Sequence, residues 1–596
     1  MKAKLKKLII FLCIFQTILN NKNIRHLDSY SLSFDNTNWS YDSINQVYYQ
    51  IGIPYYKNPA SLEYNTLGVI VPKNYLDCHK NSAEDLYTCF INKNNSIGKY
   101  KNSTVAPLVI PVNTPGYTAQ RSPTSYNYEK YSDFIKEGII YIHAGCRGRN
   151  DGESFESGAP WGVTDLKGAI RFIRFNSEYI PGDKNSIFSF GHSGGGAQSC
   201  LLGATGDNDI YKIYLNKMGA AMVNDNGEEI SDALKGSQCW CPITNLDTAD
   251  MAYEWNMGQY STSGTRSEGT FTKSVSNDLA KEYVPYINSL ELKDEKGNKL
   301  GLKTSDINSG SYYDYIKSVI ETSLNNFLKD TIFPYTPSDI SPFPPFNKIR
   351  RLEKKFDNPS EYIEYLNEKE KWIIYDKESN TANITNIGAF VRNMKNPSKK
   401  VGAFDDFNRG QAENLLFGFN QTNQKCHFDI LLGLLLKKND IIYKDLPGYN
   451  SSYKDSYLED VDLKDSLEFS VEKRVQIYNP MYFISHYYDG YNTSKVADYF
   501  RINSGIRQGD TSLCVEANLA LALKNFGKNV EFTTVWEQGH VEAERDGSDK
   551  YIKNFISWVN KCMNPSEDED DGDKKDNSPF INFSLIYLFL ILVLLF

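Results

Sequence analysis

The sequence predicts an α/β fold, in which helices cover both faces of a mostly parallel sheet and a large second segment interrupts the core. Continuous apolar runs, typical of strands buried on both faces, alternate with helical patterns between residues 45 and 245. This alternation stops near residue 245 and resumes near residue 476. A chain of 596 residues has room for such an interrupted domain.

The first part of the predicted core, residues 45–245, is defined by its strands and one helix. The segment 164–175 has apolar residues at helical spacing, which predicts a helix between two strands. Apolar, β-prone runs predict strands at 67–71, 108–112, 139–143 and 187–190. Strands that alternate with helices favour parallel pairing.

The second part of the core, residues 476–562, follows an insertion at 246–475 that is rich in Tyr, Asn and Lys. The insertion is predicted to form a lid over the carboxyl ends of the strands, where substrate pockets are shaped. A separately folded passenger domain is the alternative. After the insertion, the pattern predicts strands at 499–503 and 531–536 and helices at 513–526 and 551–561.

Charge excludes one class of partner. The net charge is −9 and the lysines and arginines form no basic stripe, so general attraction for nucleic acid is not expected. The apolar and charged fractions are those of a folded protein.

Both ends of the chain carry targeting patterns. Four lysines precede an apolar run within residues 1–23, which predicts a secretory signal peptide; an uncleaved signal anchor is the alternative. At the other end, an acidic spacer at 563–578 precedes an apolar tail at 579–596. The tail is shorter than the about 20 residues of a spanning helix, so a GPI-attachment signal is favoured over a membrane anchor. We therefore expect a protein on the outer cell surface.

Cysteines and glycosylation sequons fit that compartment. Nine cysteines remain after Cys13 leaves with the signal peptide, so some are expected to pair, and Cys78 with Cys89 is a plausible local bridge. Seven Asn-x-Ser/Thr sequons precede the tail, at Asn38, Asn94, Asn102, Asn383, Asn420, Asn450 and Asn492.

The central motif of the chain is Gly-His-Ser-Gly-Gly at residues 191–195, between the strand at 187–190 and a helix-forming segment. A strand, a tight turn and a helix around Gly-x-Ser-x-Gly are typical of the nucleophile elbow of α/β-hydrolases. Ser193 is therefore the candidate nucleophile, and the backbone N–H of Gly194 is a candidate oxyanion donor. A Gly/Ser-rich turn without chemistry is the alternative.

A serine nucleophile needs a base and an orienting acid, in the chain order Ser, acid, His. Of the three histidines after Ser193, His427 lies in the insertion and His486 follows no strand, whereas His540 directly follows the last predicted strand. His540 is the candidate base. The candidate acid is Asp510, after the preceding strand, with an N-cap of the following helix as its alternative role. Glu537 and Glu516 are reserves.

The second oxyanion donor is expected in the loop after an early core strand. The Pro-Gly-Tyr segment after the strand at 108–112 offers the backbone N–H of Gly116 or of Tyr117, although an ordinary Pro-Gly turn would have the same sequence. No metal or organic cofactor is expected, because serine acyl transfer requires none.

Five sequence blocks resemble the secreted serine esterases that include bacterial-type tannases and feruloyl-esterase-like α/β-hydrolases. They are AGCRGR at 144–149, WGVTDLK at 161–167, FGHSGGGAQ at 190–198, CPITNLD at 241–247 and QGDTS at 508–512. The resemblance covers residues 45–562. It implies hydrolysis of carboxylic esters, including those of phenolic acids such as gallate or ferulate.

The resemblance also implies substrate contacts from the insertion. In tannases a lysine and a glutamate of the lid contact the phenolic hydroxyls, and the matching positions here are Lys399 (or Lys400) and Glu413. One departure concerns the acid: tannase-like sequences carry two aspartates two residues apart, whereas Gln508 and Asp510 occupy those positions here.

The sequence thus predicts a cell-surface serine carboxylesterase with the triad Ser193, His540 and Asp510, acting on a small-molecule or plant-polymer ester. A serine peptidase on the same fold is one alternative. The other is a catalytically inactive surface-binding homologue, which Gln508 keeps open.

Overall fold

The computed structural model describes residues 29–82, 85–150, 157–337, 354–419 and 424–564. The strands of this part are β1 (Ser40–Asp42), β2 (Val47–Pro54), β3 (Thr66–Pro72), β4 (Leu76–Lys80), β5 (Tyr87–Ile91), β6 (Leu108–Val112), β7 (Ile140–Ala144), β8 (Ile187–His192), β9 (Gly236–Trp240), β10 (Ile373–Asp376), β11 (Thr381–Ile384), β12 (Tyr499–Gly505) and β13 (Asn529–Val535). The predicted signal peptide, the hydrophobic tail and nearly all of the acidic spacer lie outside the described residues, as does Asn420.

The helices of the described part lie mostly between these strands and within the insertion. They are α1 (Tyr128–Lys136), α2 (Trp161–Phe175), α3 (Gly194–Ala204), α4 (Asp209–Met218), α5 (Ala249–Asn256), α6 (Phe271–Leu290), α7 (Ser311–Asp330), α8 (Pro359–Leu366), α9 (Ile387–Met394), α10 (Ala412–Leu416), α11 (Ile430–Lys438), α12 (Asp440–Tyr443), α13 (Ser452–Val461), α14 (Val471–Ile477), α15 (Pro480–Ile484), α16 (Leu513–Asn525) and α17 (Tyr551–Met563).

The core is a nine-stranded sheet with the order β1-β2-β3-β7-β6-β8-β9-β12-β13. The four strands from β1 to β7 pair antiparallel, and every pairing from β7 to β13 is parallel. The mostly parallel sheet confirms the predicted fold class. Because β8 is central, its carboxyl end lies between the loops that follow β6 and β9.

Helices cover both faces of this sheet. Every residue of β6, β7 and β9 is buried, which requires cover on each side. On one face, Phe190 of β8 packs against Phe134 of α1 and Phe555 of α17. Its neighbour Ser189 points to the opposite face, where its hydroxyl lies 2.8 Å from that of Ser199 in α3.

Most core elements occur where the sequence predicts them, with ends displaced by a few residues. The helix expected from residue 164 begins at Trp161, and the strand expected at 531–536 spans Asn529–Val535. The sequence analysis missed β9, whose sequence Gly-Ser-Gln-Cys-Trp has no β-branched residue. Its polar Ser237 is accommodated because its hydroxyl lies 3.1 Å from that of Ser189.

The segment between β9 and β12 adds no strand to the large sheet within the described residues. It consists of helices α5 to α15 and a small hairpin of β10 and β11. The predicted lid, residues 246–475, falls inside this segment. Its division from the core stays a prediction.

A disulfide joins Cys78 and Cys89 across the hairpin of β4 and β5, as expected from their spacing. The other cysteines of the described chain are buried and lie outside this disulfide. Within the same residues, every helix is too short or too polar to cross a membrane.

Candidate active site

Ser193 forms the tight turn between β8 and α3. Its backbone has φ 60° and ψ −123°, a strained conformation for a residue with a side chain, and its N–H donates to Trp240 O at 2.9 Å. Gly195, two residues after Ser193, must be a glycine because the backbone approaches closely there: a Cβ on Gly195 would lie 2.0 Å from Val112 O. The local geometry is that of a nucleophile elbow.

The structure brings His540 to this serine. Nε2 of His540 lies 2.8 Å from Oγ of Ser193, although the two residues are 347 positions apart in the chain. The loop that carries His540 follows β13 and is joined to the loop after β12 by a hydrogen bond from Arg507 N to Gln538 O at 3.0 Å. Gly505 permits this contact, because a Cβ there would lie 1.9 Å from Gly539 O. The nucleophile and base predicted from the sequence are therefore within hydrogen-bond reach.

The other ring nitrogen of His540 has a partner that the sequence analysis did not assign. Oε1 of Gln508 lies 2.7 Å from Nδ1, whereas Oδ2 of Asp510 lies 3.8 Å from the same nitrogen. The amide oxygen can only accept, so Nδ1 carries the proton and the Nε2 lone pair is directed at the Ser193 hydroxyl. Asp510 is close enough to stabilise a positive imidazolium, but the hydrogen bond that selects the tautomer comes from Gln508.

The two reserve acids lie in different surroundings. Glu537 accepts hydrogen bonds from Tyr362 and Arg507, which direct its carboxylate away from His540. Glu516, in α16, lies behind Gln508 and accepts from its amide nitrogen at 2.5 Å. Neither reserve carboxylate takes the direct position at Nδ1.

Electrostatics keep His540 neutral. Burial lowers its pKa from 6.5 to about 3; Asp510 opposes this shift, and His192, Lys399 and Lys395 add to it. A neutral imidazole can accept the serine proton, which is the form that a general base requires.

The predicted oxyanion donors lie around Gly194. A Cβ on Gly194 would lie 2.5 Å from Tyr117 N and 3.2 Å from Gly116 N, so both candidate amides border the elbow. The N–H of Tyr117 already donates to Thr114 O at 2.9 Å. Gly194 opens α3, and an N–H at a helix N-terminus has no intrahelical acceptor. Gly194 and Gly116 are therefore the better-placed pair.

A side chain that the sequence analysis passed over holds the oxyanion loop. Nε of Arg149 donates to the carbonyl of Gly116 at 2.5 Å. Arg149 is the last residue of the AGCRGR block at 144–149, and the spacing of residues in that block did not indicate this contact.

The predicted lid, residues 246–475, contributes Lys399 and Glu413 to the same region. Glu413 is buried, which raises its pKa; Lys399 opposes the shift most strongly, Arg149 less so, and Asp510 reinforces it. Lys399 Nζ lies 3.9 Å from the ring centre of Phe404. Two cations and a second carboxyl group thus act electrostatically on Glu413, and groups of these kinds can pair with hydroxyl groups of a ligand.

One tyrosine joins the lid to the loop that carries Asp510. The hydroxyl of Tyr253 donates to Gly509 O at 2.9 Å and accepts from the backbone N–H groups of Ser398 and Lys399, each at 3.0 Å. Ser398 Oγ also donates to Gly509 O at 2.8 Å. These hydrogen bonds set the position of Lys399 relative to Asp510.

One group of side chains in the described residues could ligate a metal at the site. Ligand atoms of His192, Cys241 and His540 lie within 4.8 Å of one another. Burial raises the pKa of the Cys241 thiol, which disfavours the thiolate that a metal binds. Both His540 nitrogens already have partners, so metal binding there would compete with the bond to Ser193.

Comparison with known proteins finds a family-model match and solved structures with a similar fold. The family model described as BD-FAE, a feruloyl-esterase-like group, matches residues 97–251. The tannase of Fusobacterium nucleatum is 27% identical, with a TM-score of 0.65 over 90% of this chain and 100% of that one. The tannin acyl hydrolase of Lactobacillus plantarum is 23% identical, with a TM-score of 0.64 over 89% and 99%.

Two further structures of tannin acyl hydrolase hold small aromatic molecules. The complex with 3,4-dihydroxybenzoate is 24% identical with a TM-score of 0.64, and that with ethyl gallate is 23% identical with a TM-score of 0.62. Each covers 89% of this chain and 99% of its own. No curated protein sequence matches the chain.

Proposed function

The chain is a carboxylic ester hydrolase with an α/β-hydrolase fold that resembles bacterial tannases, and from this premise we propose that it hydrolyses esters of phenolic acids through Ser193 and His540. The observation that carries the catalytic part is the 2.8 Å distance between Ser193 Oγ and His540 Nε2 at a strained elbow. Nucleophile and base within this distance are the requirement for serine acyl transfer.

In the acylation step, Ser193 Oγ attacks the ester carbonyl while its proton passes to Nε2 of His540. The oxyanion that forms is stabilised by the backbone N–H groups of Gly194 and Gly116. Arg149 holds the loop of Gly116 in place by donating to its carbonyl. In the imidazolium, the N–H at Nδ1 continues to donate to Oε1 of Gln508. An oxygen of the Asp510 carboxylate lies 3.8 Å from the same nitrogen. The proton that Nε2 took from Ser193 is then transferred to the departing alkoxide.

In the deacylation step, a water molecule takes the position of the alcohol. His540 removes its proton, the hydroxide attacks the acyl carbonyl, and the tetrahedral intermediate releases the acid while Ser193 recovers its proton. All proton transfers in the cycle pass through Nε2 of one imidazole. The groups named in these steps are side chains and backbone N–H groups of the chain, together with one water molecule.

The preference for a phenolic acid rests on the polar groups of the lid. Lys399 and Asp510 both act electrostatically on the buried carboxyl group of Glu413, and a buried carboxyl or ammonium group gains when a ligand hydroxyl pairs with it. Structures similar to this one hold 3,4-dihydroxybenzoate and ethyl gallate. An acetyl group would leave these polar groups unpaired.

We also propose that the protein acts at the outer cell surface. The terminal patterns at 1–23 and 563–596 support a secreted and anchored chain. Of the sequons in the described residues, Asn38, Asn94, Asn383, Asn450 and Asn492 are exposed, as a glycosylation site must be.

The test is hydrolysis of methyl gallate, methyl ferulate, p-nitrophenyl acetate and acetylated xylan by the full chain without its predicted signal and tail. Phenolic esters are expected to give the highest kcat/KM. Ser193→Ala should lower kcat by about 10⁶-fold with an unchanged melting temperature. Retained turnover in this variant would overturn the catalytic assignment.

Lys399→Met separates the substrate from the chemistry. It should raise KM for methyl gallate by about tenfold, because a hydroxyl loses a charged partner. Hydrolysis of p-nitrophenyl acetate, which has no acyl hydroxyl, should change by less than about twofold. Equal effects on both substrates would contradict the phenolic assignment.

A further inference from the structure

The amide of Gln508 raises a problem that a carboxylate would not. An amide has an accepting oxygen and a donating nitrogen, and only the oxygen leaves Nε2 of His540 free to accept from Ser193. In the serine-protease triad, exchanging the aspartate for asparagine lowers kcat by about 10⁴-fold because the histidine is held in the wrong tautomer. An active enzyme with Gln508 at Nδ1 therefore needs a second group to fix the direction of this amide.

Glu516 is placed to do so. Its Oε1 accepts from Gln508 Nε2 at 2.5 Å and also from the hydroxyl of Ser504. A carboxylate oxygen accepts and does not donate, so the NH₂ end of Gln508 must face Glu516. The oxygen of the amide is then the end that faces His540, where it lies 2.7 Å from Nδ1.

This arrangement tolerates a change in the charge of Glu516. Burial raises the pKa of Glu516 to about 7, against the opposing effect of Lys395. In the described part of the chain its Oε2 has no hydrogen-bond partner, whereas Oε1 has two donors. A proton would therefore sit on Oε2, and Oε1 would remain the acceptor for Gln508.

The surroundings hold both residues in place. Gln508 and Glu516 are each 1% exposed, so water does not compete for their polar atoms. The ammonium group of Lys395, also buried, donates to the backbone carbonyl of Gln508. Lys395 provides the positive charge that faces the carboxylate.

We propose that Glu516 is a positioning residue that acts through Gln508: it orients the amide, and the amide fixes the tautomer of His540. The role of the missing triad carboxylate is thus divided between an amide at Nδ1, a carboxylate behind it and Asp510 beside the ring. This inference rests on the proposed esterase function, and it requires no atom beyond those of the chain.

The test exchanges amide and carboxylate without changing their shapes. In Glu516→Gln, the new amide can present either end to Gln508, so kcat should fall by about tenfold or more while KM stays within about twofold. In the double variant Gln508→Glu with Glu516→Gln, a carboxylate at position 508 accepts from Nδ1 whichever way it turns. Its kcat should return to within about threefold of wild type.

The double variant excludes a purely structural role. Lys395 keeps a negative neighbour in it, because the carboxylate moves from residue 516 to its hydrogen-bond partner, residue 508, which Lys395 also contacts. A second readout is the pH dependence of kcat/KM: a carboxylate next to Nδ1 should raise the pKa of His540 and move the acid limb to higher pH. Removal of a merely stabilising glutamate would not move this limb upward.

Glu544→Gln is the matched control. Glu544 is also 1% exposed and accepts from Trp240 Nε1 and Arg501, but its contacts do not include Gln508. This variant should lower the melting temperature with kcat unchanged.

Two results would overturn the inference: wild-type kcat in Glu516→Gln, or a double variant no more active than that single one. They can be told apart from failure of the proposed function. If the wild-type chain hydrolyses no ester, the esterase assignment fails. If the wild-type chain hydrolyses esters and Glu516→Gln has the same kcat, only the proposed role of Glu516 fails.

Discussion

At the scale of single residues, the site combines a standard nucleophile and base with an unusual orienting group. Ser193 and His540 lie 2.8 Å apart, but an amide, not a carboxylate, holds Nδ1. Among the described residues, the carboxylate within 4 Å of this nitrogen is that of Asp510, with an oxygen 3.8 Å away. A neutral partner at Nδ1 and the partial burial of the ring both favour the uncharged imidazole.

The pH dependence of the reaction follows from this. Burial lowers the pKa of His540 to about 3, with Asp510 opposing and His192, Lys399 and Lys395 reinforcing the shift. His540 acts as a base only in its neutral form, and a histidine is neutral at pH values above its pKa. With p-nitrophenyl acetate, kcat/KM should therefore stay level as the pH falls from 8 to about 5.

An ordinary catalytic histidine gives a different profile. An inflection near 6.5, the unperturbed pKa of histidine, would mean that the ring is solvated or that a carboxylate faces Nδ1 in solution. A pH-stability control at each point, measured by the melting temperature, separates loss of the base from unfolding.

The sequence predicts part of this site and misses part of it for a clear reason. Ser193 follows from the motif and its flanking elements, and His540 follows from elimination among few histidines. The contact of Gln508 depends on a difference of about one ångström between two side chains two residues apart in one loop. Only the departure from the tannase-like pattern at Gln508 signalled it.

At the scale of elements, the site is assembled from loops that are fastened to one another. The loops after β12 and β13 share a backbone hydrogen bond from Arg507 to Gln538, and Gly505 allows them to touch. The lid joins through Tyr253, which bonds both the Asp510 loop and the segment that carries Lys399.

Tyr253→Phe should loosen the lid from the acid loop. Without the hydroxyl, Gly509 O loses one donor and two lid N–H groups lose their acceptor. We expect KM for methyl gallate to rise by about three- to tenfold, with a smaller effect on kcat. Steady-state kinetics with methyl gallate and p-nitrophenyl acetate measure both.

A second lid tyrosine provides the control. The hydroxyl of Tyr443 donates to Asp278 at 2.8 Å, within the helical part of the insertion. Tyr443→Phe removes a comparable hydrogen bond and should leave KM unchanged. Equal rises in KM for both variants would show that Tyr253 acts only through the stability of the lid.

Sequence patterns predict where the strands and helices lie better than they predict the contacts between them. Strands β6 and β8 are evident from their apolar residues. Strand β9 is fully buried as well, but it is concealed by polar residues that form hydrogen bonds within the core. The hydrogen bonds of Tyr253 span 145 residues or more, so no local pattern announces them.

At the scale of the whole molecule, the core is built from two distant parts of the chain. The parallel pairing of β9 with β12 joins them, with the insertion between the two strands. Because Ser193 belongs to the first part and His540 to the second, the catalytic pair exists only when both parts have folded together.

Expression in a eukaryotic secretory host tests the proposed location. Glycosylation at exposed sequons such as Asn383 and Asn450 should give a mass that falls on treatment with peptide N-glycosidase. Release of the protein from cells by phosphatidylinositol-specific phospholipase C would support the GPI proposal. An unglycosylated protein retained inside the cell would contradict the location.

The most direct test of the central claim is labelling of the intact protein by a fluorophosphonate, followed by mass spectrometry of its peptides. The account predicts one adduct, on Ser193, which is lost in His540→Ala because the hydroxyl then has no base. Absence of an adduct in the folded wild-type protein, or an adduct on another serine, would contradict Ser193 as the nucleophile.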